Sequence, residues 1–310
     1  MNKSSNPLAI VIPFYKLDFF GDLLRALCLQ SNKSFNVYVG DDCSMDDPTD
    51  LIAEAGKVIN ISYHRFNERM GGHSLAGHWN RCLSLINDEP WIWFLPDDDL
   101  PSLNCVEELV LALQRGLDTG VNIFTLPLKS MDEDGKIFSH GKFYEFPLNN
   151  LEFYRKQLSG EIEGSTLGDN IIRREALIGR GGFVDFPKAW GSDHATLIRA
   201  SAGANILCLS NAFFCFRNSR VNISSLTYDG GLKMKARLLF ACWIRENSNL
   251  FSGKLDHHFW ELFYWKSEFF AVNVWPFSAR LFWYLLRLRW VCIGSLNFLS
   301  VLKLLMIPKQ

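Results

Sequence analysis

Three consecutive carboxylates, Asp97-Asp98-Asp99, follow directly on the run Trp91-Ile-Trp-Phe-Leu-Pro96. Adjacent acids repel one another and cannot all be buried ionised without a cation, so a strand that delivers them to one point predicts a bound divalent metal. Carboxylate oxygens suit Mg²⁺ or Mn²⁺, hard ions that bridge a few acids to the phosphates of a substrate. The competing reading is an acidic turn ahead of a helix, with Asp99 or Ser102 as N-cap before Val106–Gln114. Two further stretches place acids where chemistry is possible: Asp41-Asp42-Cys43-Ser44, and Asp193 within Trp190-Gly-Ser-Asp-His-Ala195. The competing role for Asp193 is that of a helix cap or dipole partner.

Elements able to position these acids are legible in the apolar pattern. Leu8–Tyr15 is a near-continuous apolar run, as expected of a strand buried on both faces of a parallel sheet. A helix over Asp18–Gln30, a strand over Phe35–Gly40 that ends in the Asp41-Asp42 pair, a helix over Pro48–Ala55 and a strand over Val58–Arg65 follow. This β-α-β-α-β order predicts a doubly wound parallel sheet with its site at the carboxyl ends of the strands. Asn67–Ser74 is a glycine-containing loop before a helix over Leu75–Ile86. It holds neither Gly-x-Gly-x-x-Gly nor a Walker pattern, which excludes dinucleotide and P-loop assignments. After the strand at 91–95 come a helix near 104–116, a strand over Val121–Leu128 and a hairpin within Lys129–Gly141. The second half predicts a strand at Asn170–Arg173 turning into a short helix, a turn at Gly179–Phe183, a helix from Trp190 to Ala202 and a strand over Ile206–Phe216. Helices are then expected at Met234–Glu246, His257–Val272 and Ala279–Met306.

The chain has 310 residues, 48% of them hydrophobic and 14% aromatic, ample for a sizeable core. A formal net charge of −1 gives no global electrostatic reason to bind nucleic acid. Eight cysteines at 28, 43, 82, 105, 208, 215, 242 and 292 include no pair at zinc spacing and read as reduced core residues of a cytoplasmic protein. No signal peptide is read at the N-terminus, where Pro7 and Pro13 interrupt a short apolar run. His257 and His258 diverge on a helix and make a poor metal pair. Near the C-terminus, Trp283, Tyr284 and Trp290 lie among Arg280, Arg287, Arg289 and Lys303. The uncharged run Trp290–Leu302 is shorter than the ~20 apolar residues of a spanning helix. Peripheral contact with a membrane through an interfacial helix, packing onto the core and dimerisation are the alternatives for this tail.

The opening strand with Pro13, the pair Asp41-Asp42 before Cys43-Ser44, the Asn67-to-Asn80 segment, the triplet Asp97–Asp99 and Gly-Gly-Phe183 followed by Asp193 together resemble the family 2 glycosyltransferases of GT-A fold. The order and spacing agree over about residues 7–225. The resemblance implies a GT-A catalytic domain over 1–228, with a nucleotide-sugar half at 1–128 and an acceptor half at 129–228. Residues 229–310 form a helical, aromatic-rich extension. It further implies that Asp42 hydrogen-bonds the nucleobase, usually uracil, that Asp97 lies near the ribose, and that Asp98 with Asp99 holds Mn²⁺ or Mg²⁺. Pro13, Tyr15 and Arg69 fall beside the nucleotide sugar. Asp193 matches the catalytic base, with Ser192 where the family usually has Glu. The loop after the last strand lacks a histidine that could ligate metal, leaving Arg217 or Arg220 to meet the diphosphate. The expected activity is inverting, metal-dependent transfer from a nucleoside diphosphate sugar, with UDP as carrier, to a saccharide or lipid-linked saccharide in O-antigen, capsule or other surface-polysaccharide assembly. The alternatives are a nucleotidyltransferase-like enzyme and an inactive GT-A scaffold. The former would need a glycine-rich, basic loop after the first strand, which Phe14–Asp18 does not supply.

Overall fold

The alternation of side chains along three central strands decides the architecture. In β1 (Leu8–Phe14), β2 (Phe35–Asp41) and β4 (Trp91–Phe94), Leu8, Ile10, Ile12, Phe35, Val37, Trp91 and Trp93 enter one apolar cluster, whereas Ala9, Val11, Tyr38, Ile92 and Phe94 enter another. Both faces of the sheet are therefore buried, and a strand with no solvent face can be apolar throughout. Helices α1 (Phe20–Cys28) and α4 (Cys105–Gln114) cover the first face through Leu23, Leu24, Leu27, Val106 and Leu109. Helix α3 (Leu75–Cys82) covers the second through Ala76 and Cys82.

The computed structural model describes residues 6–141, 144, 147–162, 166–219, 230–274, 284, 286–288 and 290–292. Helix α2 (Thr49–Ala55) connects β2 to β3 (Ile61–Arg65), and β1, β2, β3 and β4 are mutually parallel in the spatial order β3-β2-β1-β4. The chain runs outward from β1 to β3 and then returns to the other side of β1. The switch point of the winding thus lies between the carboxyl ends of β1 and β4, where such sheets bind ligands. Antiparallel β10 (Asn170–Arg173) joins β4 to β6 (Val121–Thr125), and β11 (Asn205–Cys208) and β9 (Leu148–Asn149) complete eight strands. A smaller sheet orders β5 (Leu100–Pro101), β12 (Phe214–Arg217), β7 (Leu128–Met131) and β8 (Ile137–His140), the last two forming the expected hairpin.

Two expectations require correction. Residues 121–128 and 206–216 each read as one strand, but each is divided between the two sheets: β6 and β11 lie in the large sheet, β7 and β12 in the small one. The chain changes sheets at Leu126-Pro127 and at 209–213, where apolar side chains remain buried without continuing the ladder.

Helices α5 (Asn150–Ser159), α6 (Arg174–Leu177) and α7 (Ser192–Ala200) precede a C-terminal pair, α8 (Gly230–Glu246) and α9 (His257–Val274). Phe240, Ile244, Phe259 and Phe263 of that pair share an apolar cluster with Tyr154 of α5 and with Ala195 and Ile198 of α7. Most of the expected helix over 279–306 lies outside the described residues; within it, Tyr284, Leu288, Val291 and Cys292 are buried in the same cluster, while Arg287 and Trp290 are exposed. No helix among the described residues is long and apolar enough to cross a membrane.

Gly168 shows how tightly the two sheets meet. Its carbonyl accepts the indole N–H of Trp93 at 2.7 Å, and a Cβ at this position would lie 2.2 Å from the Phe214 ring and 3.0 Å from Pro96. Gly168→Ala should therefore lower stability by about 1–3 kcal/mol through overpacking. Urea or thermal denaturation measures this, and an unchanged midpoint would mean that Phe214 has room to move.

Candidate active site

The acid triplet lies at the switch point, and its members are held by different elements. Asp97, half-buried, accepts the backbone N–H groups of Tyr15 (3.0 Å) and Lys16 (3.3 Å), which stitches the end of β4 to the end of β1. Asp99 is 1% exposed; its Oδ1 accepts the Arg217 N–H of β12 at 2.8 Å, and its Oδ2 is buried with no hydrogen-bond partner among the described residues. It caps no helix, because α4 begins after Asn104. Asp98, half-buried, stands between them.

Burial and the neighbouring Asp98 charge push Asp97 up to about 7. Burial also raises Asp98, and burial with the Asp98 charge raises Asp99 well above the usual carboxylate range. A group of carboxyls that resists ionising, with one orphaned buried oxygen, fits a hard cation. Among the described residues no three His, Cys, Asp or Glu side chains gather around one point. The fit is therefore to an ion held by one or two carboxylates and completed by phosphate and water oxygens, the usual habit of Mg²⁺.

Arg217 was expected to meet the diphosphate, but it is occupied elsewhere. It is 1% exposed, its Nε donates to the Asp98 carbonyl (2.9 Å) and Nη1 to the Glu133 carbonyl (2.6 Å), and its guanidinium lies 4.2 Å from the centre of the Phe19 ring. Its Nη2 also lies 3.4 Å from Asp22 Oδ2, so this buried cation ties the backbone of the acid turn to α1. Arg220 lies outside the described residues.

The pair after β2 divides its work. Asp41 is fully buried and accepts from Ser44 N (2.7 Å), Tyr63 Oη (2.6 Å) and Arg65 Nη1 (2.8 Å). Asp42, 3% exposed, fastens the glycine-containing loop: Oδ1 accepts from Met70 N (2.8 Å) and Arg81 Nη2, and Oδ2 accepts from Gly71 N (2.8 Å). Residue 71 must be glycine, since a Cβ there would stand 2.7 Å from Asp42 Oδ2. With about four lone-pair positions on a carboxylate, one on Oδ2 is left for a ligand donor. His78 Nδ1 accepts from Arg81 Nε at 3.1 Å, and burial pushes this histidine down to about 4, so it is neutral. Beside this cluster the Arg69 guanidinium stacks 4.2 Å above the half-buried Tyr15 ring, joining two residues expected near the nucleotide. Pro13 is half-buried in β1, opposite Gly40. Neither Arg81 nor His78 stood out in the sequence; the one available signal was that a buried acid pair needs a cation.

Asp193 occupies the first turn of α7, half-buried, where its Oδ1 accepts the His194 N–H at 2.8 Å. The N-cap is Gly191 at φ +88°, so Asp193 is not the cap. Ser192 is fully buried and its Oγ accepts the Phe186 N–H at 3.1 Å, tying down the loop that leads to Asp193. His194, whose pKa burial lowers, stacks on Phe240 of α8 with ring centres 6.2 Å apart. The C-terminal helices thus support the back of the Asp193 turn.

Comparison with known proteins agrees with this architecture. The family model described as "Glycosyl transferase family 2" matches residues 9–180. An uncharacterized glycosyltransferase of Rickettsia conorii is 26% identical over 140 residues, 44% of this chain and 19% of the relative. The chain therefore matches only about a fifth of that protein's length. Among solved structures, residues 1–349 of S. aureus TarS superimpose with a TM-score of 0.67 at 16% identity, over 96% of this chain and 82% of TarS. The same protein with UDP-GlcNAc gives 0.63 at 17% identity, over 92% and 86%. The mannosyltransferase PcManGT from Pyrobaculum calidifontis, solved with GDP-Man and Mn²⁺, gives 0.52 at 14% identity, over 97% and 79%. The shared architecture is the GT-A fold, a mixed α/β fold with a large, mostly parallel sheet.

The raised Asp97 pKa carries a definite sign. A carboxyl that keeps its proton to about pH 7 when folded, yet loses it near pH 4 when unfolded, contributes stability below pH 4 that is lost as pH rises through 7. In chelator, the melting temperature should show this fall between about pH 4 and 7, and Asp97→Asn should flatten it. Added Mn²⁺ should raise the melting temperature more at pH 8 than at pH 5, because protons compete for the same oxygens. An equal rise at both pH values would detach the triplet from metal binding.

Proposed function

This chain belongs to glycosyl transferase family 2, and from that premise we propose that it is an inverting, divalent-metal-dependent transferase. Its donor is a UDP-sugar and its acceptor a saccharide carried on a lipid, in assembly of O-antigen, capsule or another surface polysaccharide. The observation that carries the reading is the acid turn at the switch point, with one buried Asp99 oxygen lacking a hydrogen-bond partner among the described residues. Uridine as the base draws support from the likeness to TarS, which was solved with UDP-GlcNAc. A divalent metal draws support from PcManGT, solved with Mn²⁺.

In this reading Asp98 and Asp99 would hold the cation, whose positive charge would stabilise the leaving diphosphate. Tyr15 and Arg69 border the base, and Asp42 offers its remaining Oδ2 position to a base N–H while holding the loop at Met70-Gly71. Asp97 lies near the ribose and keeps β1 against β4. Asp193 takes the proton of the acceptor hydroxyl as that oxygen bonds the anomeric carbon. The bond from that carbon to the diphosphate oxygen breaks on the opposite side, UDP leaves, and the anomeric configuration inverts. Peripheral membrane contact through the C-terminal region belongs to the same proposal, supported by exposed Trp265, Trp290 and Arg287.

A panel of nucleotide sugars, assayed with Mn²⁺ and a diphospholipid-linked monosaccharide and read by mass spectrometry, tests the reading directly. Asp98→Ala should abolish turnover, as should EDTA with the wild type; full activity in EDTA would remove the metal from the mechanism. Asp193→Asn should retain UDP affinity and melting temperature while kcat falls by ~10²–10⁴-fold. Turnover near that of the wild type would return Asp193 to a structural role.

A further inference from the structure

Helix α3 carries, on adjacent residues, contacts to both sides of the candidate site. Arg81 reaches Asp42 and donates to the Glu68 carbonyl at 2.9 Å, on the side bearing Tyr15 and Arg69. Asn80 reaches the other way. Its Nδ2 donates to the Phe183 carbonyl at 3.0 Å and its Oδ1 accepts the Phe183 N–H at 2.7 Å, so one side-chain amide satisfies both backbone groups of a residue 103 positions away. At the start of the same helix, Ser74, the N-cap, donates its hydroxyl to Asp185 Oδ2 at 2.6 Å.

The segment that Asn80 grips is the one that leads to Asp193. Gly182 has φ +68°, and a Cβ on it would stand 2.2 Å from Asn80 Oδ1, so the turn is shaped around this amide. From there Val184 N donates to Thr196 Oγ1 (3.0 Å) and Phe186 N to Ser192 Oγ (3.1 Å), while Thr196 Oγ1 donates to the Ser192 carbonyl (2.6 Å). Residues 183–186 therefore lie between α3 and the first turn of α7, bonded to both, and Asp193 sits between the two α7 residues that hold them.

We propose that Asn80 is the positioning residue for Asp193: it sets residues 183–186, and through them the α7 turn, relative to the α3 helix that also holds the donor-side loop. The proposal rests on the reading of Asp193 as base. A side-chain amide is required because Phe183 presents a donor and an acceptor together. Aspartate cannot donate to the carbonyl, and alanine reaches neither group.

The test combines Asn80→Ala and Asn80→Asp with Asp193→Asn in the full chain. It uses UDP as binding probe and UDP release from UDP-N-acetylglucosamine, UDP-glucose and UDP-galactose as turnover. Asn80→Ala should lower kcat by ~10–10²-fold, the scale of a misplaced catalytic group, while UDP affinity stays within about twofold. Because Asn80 acts through Asp193, Asn80→Ala/Asp193→Asn should be no slower than Asp193→Asn alone. Hydrogen exchange at the Val184 and Phe186 amides should quicken in Asn80→Ala, a readout that needs no turnover.

Losses that multiply in the double variant, joint loss of UDP binding and turnover, failure of both Asn80 variants to fold, or unchanged exchange at Val184 and Phe186 would each overturn the assignment. Asp193→Asn retaining turnover would overturn the base reading. Asp193→Asn losing turnover while Asn80→Ala keeps it would overturn the positioning role alone.

Discussion

Mutual repulsion among Asp97, Asp98 and Asp99 is the constraint around which the site is built. Three carboxylates on one turn cannot share the same surroundings, and each is given a different partner or none. Asp97 faces the backbone N–H groups at the end of β1, Asp99 faces the N–H of Arg217 on β12, and the Arg217 guanidinium lies beneath the turn against the Asp98 carbonyl. These contacts join the large sheet to the small one at their carboxyl-end junction. The burial that raises Asp97 and Asp99 disfavours their charged forms, which is the electrostatic basis of the metal proposed above.

The acids after β2 follow the same logic with a different outcome. Asp41 and Asp42 are both buried, but the chain supplies each with three donors: Tyr63, Arg65 and a backbone N–H for the first, Arg81 and two loop N–H groups for the second. A buried carboxylate with that many donors is a structural hub, and it orders the Met70-Gly71 turn. Asp42 thus orders the loop that lies beside the Arg69–Tyr15 stack.

Much of this was readable from residue types. The unbroken apolar run of β1, the acid turn after β4 and the alternation of strands with helices over the first hundred residues announce a doubly wound sheet. What was not readable depends on contacts between residues far apart in sequence. Periodicity cannot show that a buried run leaves one sheet for another, which is how 121–128 and 206–216 came to be divided. The charge of Arg217 is evident, but its guanidinium is directed by the Asp98 and Glu133 carbonyls and by Asp22, all far away in sequence. Arg81 and Asn80 act on residues 39 and 103 positions away, and nothing local distinguishes them from other polar residues on a helix.

The aromatic wealth of the C-terminal region has a physical use in the described part of the fold. Tyr154, Phe186, Phe240, Phe259 and Phe263 close one apolar cluster over the back of α7, and His194, the neighbour of Asp193, is stacked into it. Tyr284, Leu288, Val291 and Cys292 recur at spacings of four, three and one, the i, i+4, i+7, i+8 signature of one helical face, and that face is buried against the same cluster. A tail whose apolar face is spent in this way is part of the platform for the α7 turn, whatever its exposed Trp290 also meets. Removing it would uncover the support behind Asp193, so loss of activity on truncation could not by itself be assigned to loss of a membrane anchor.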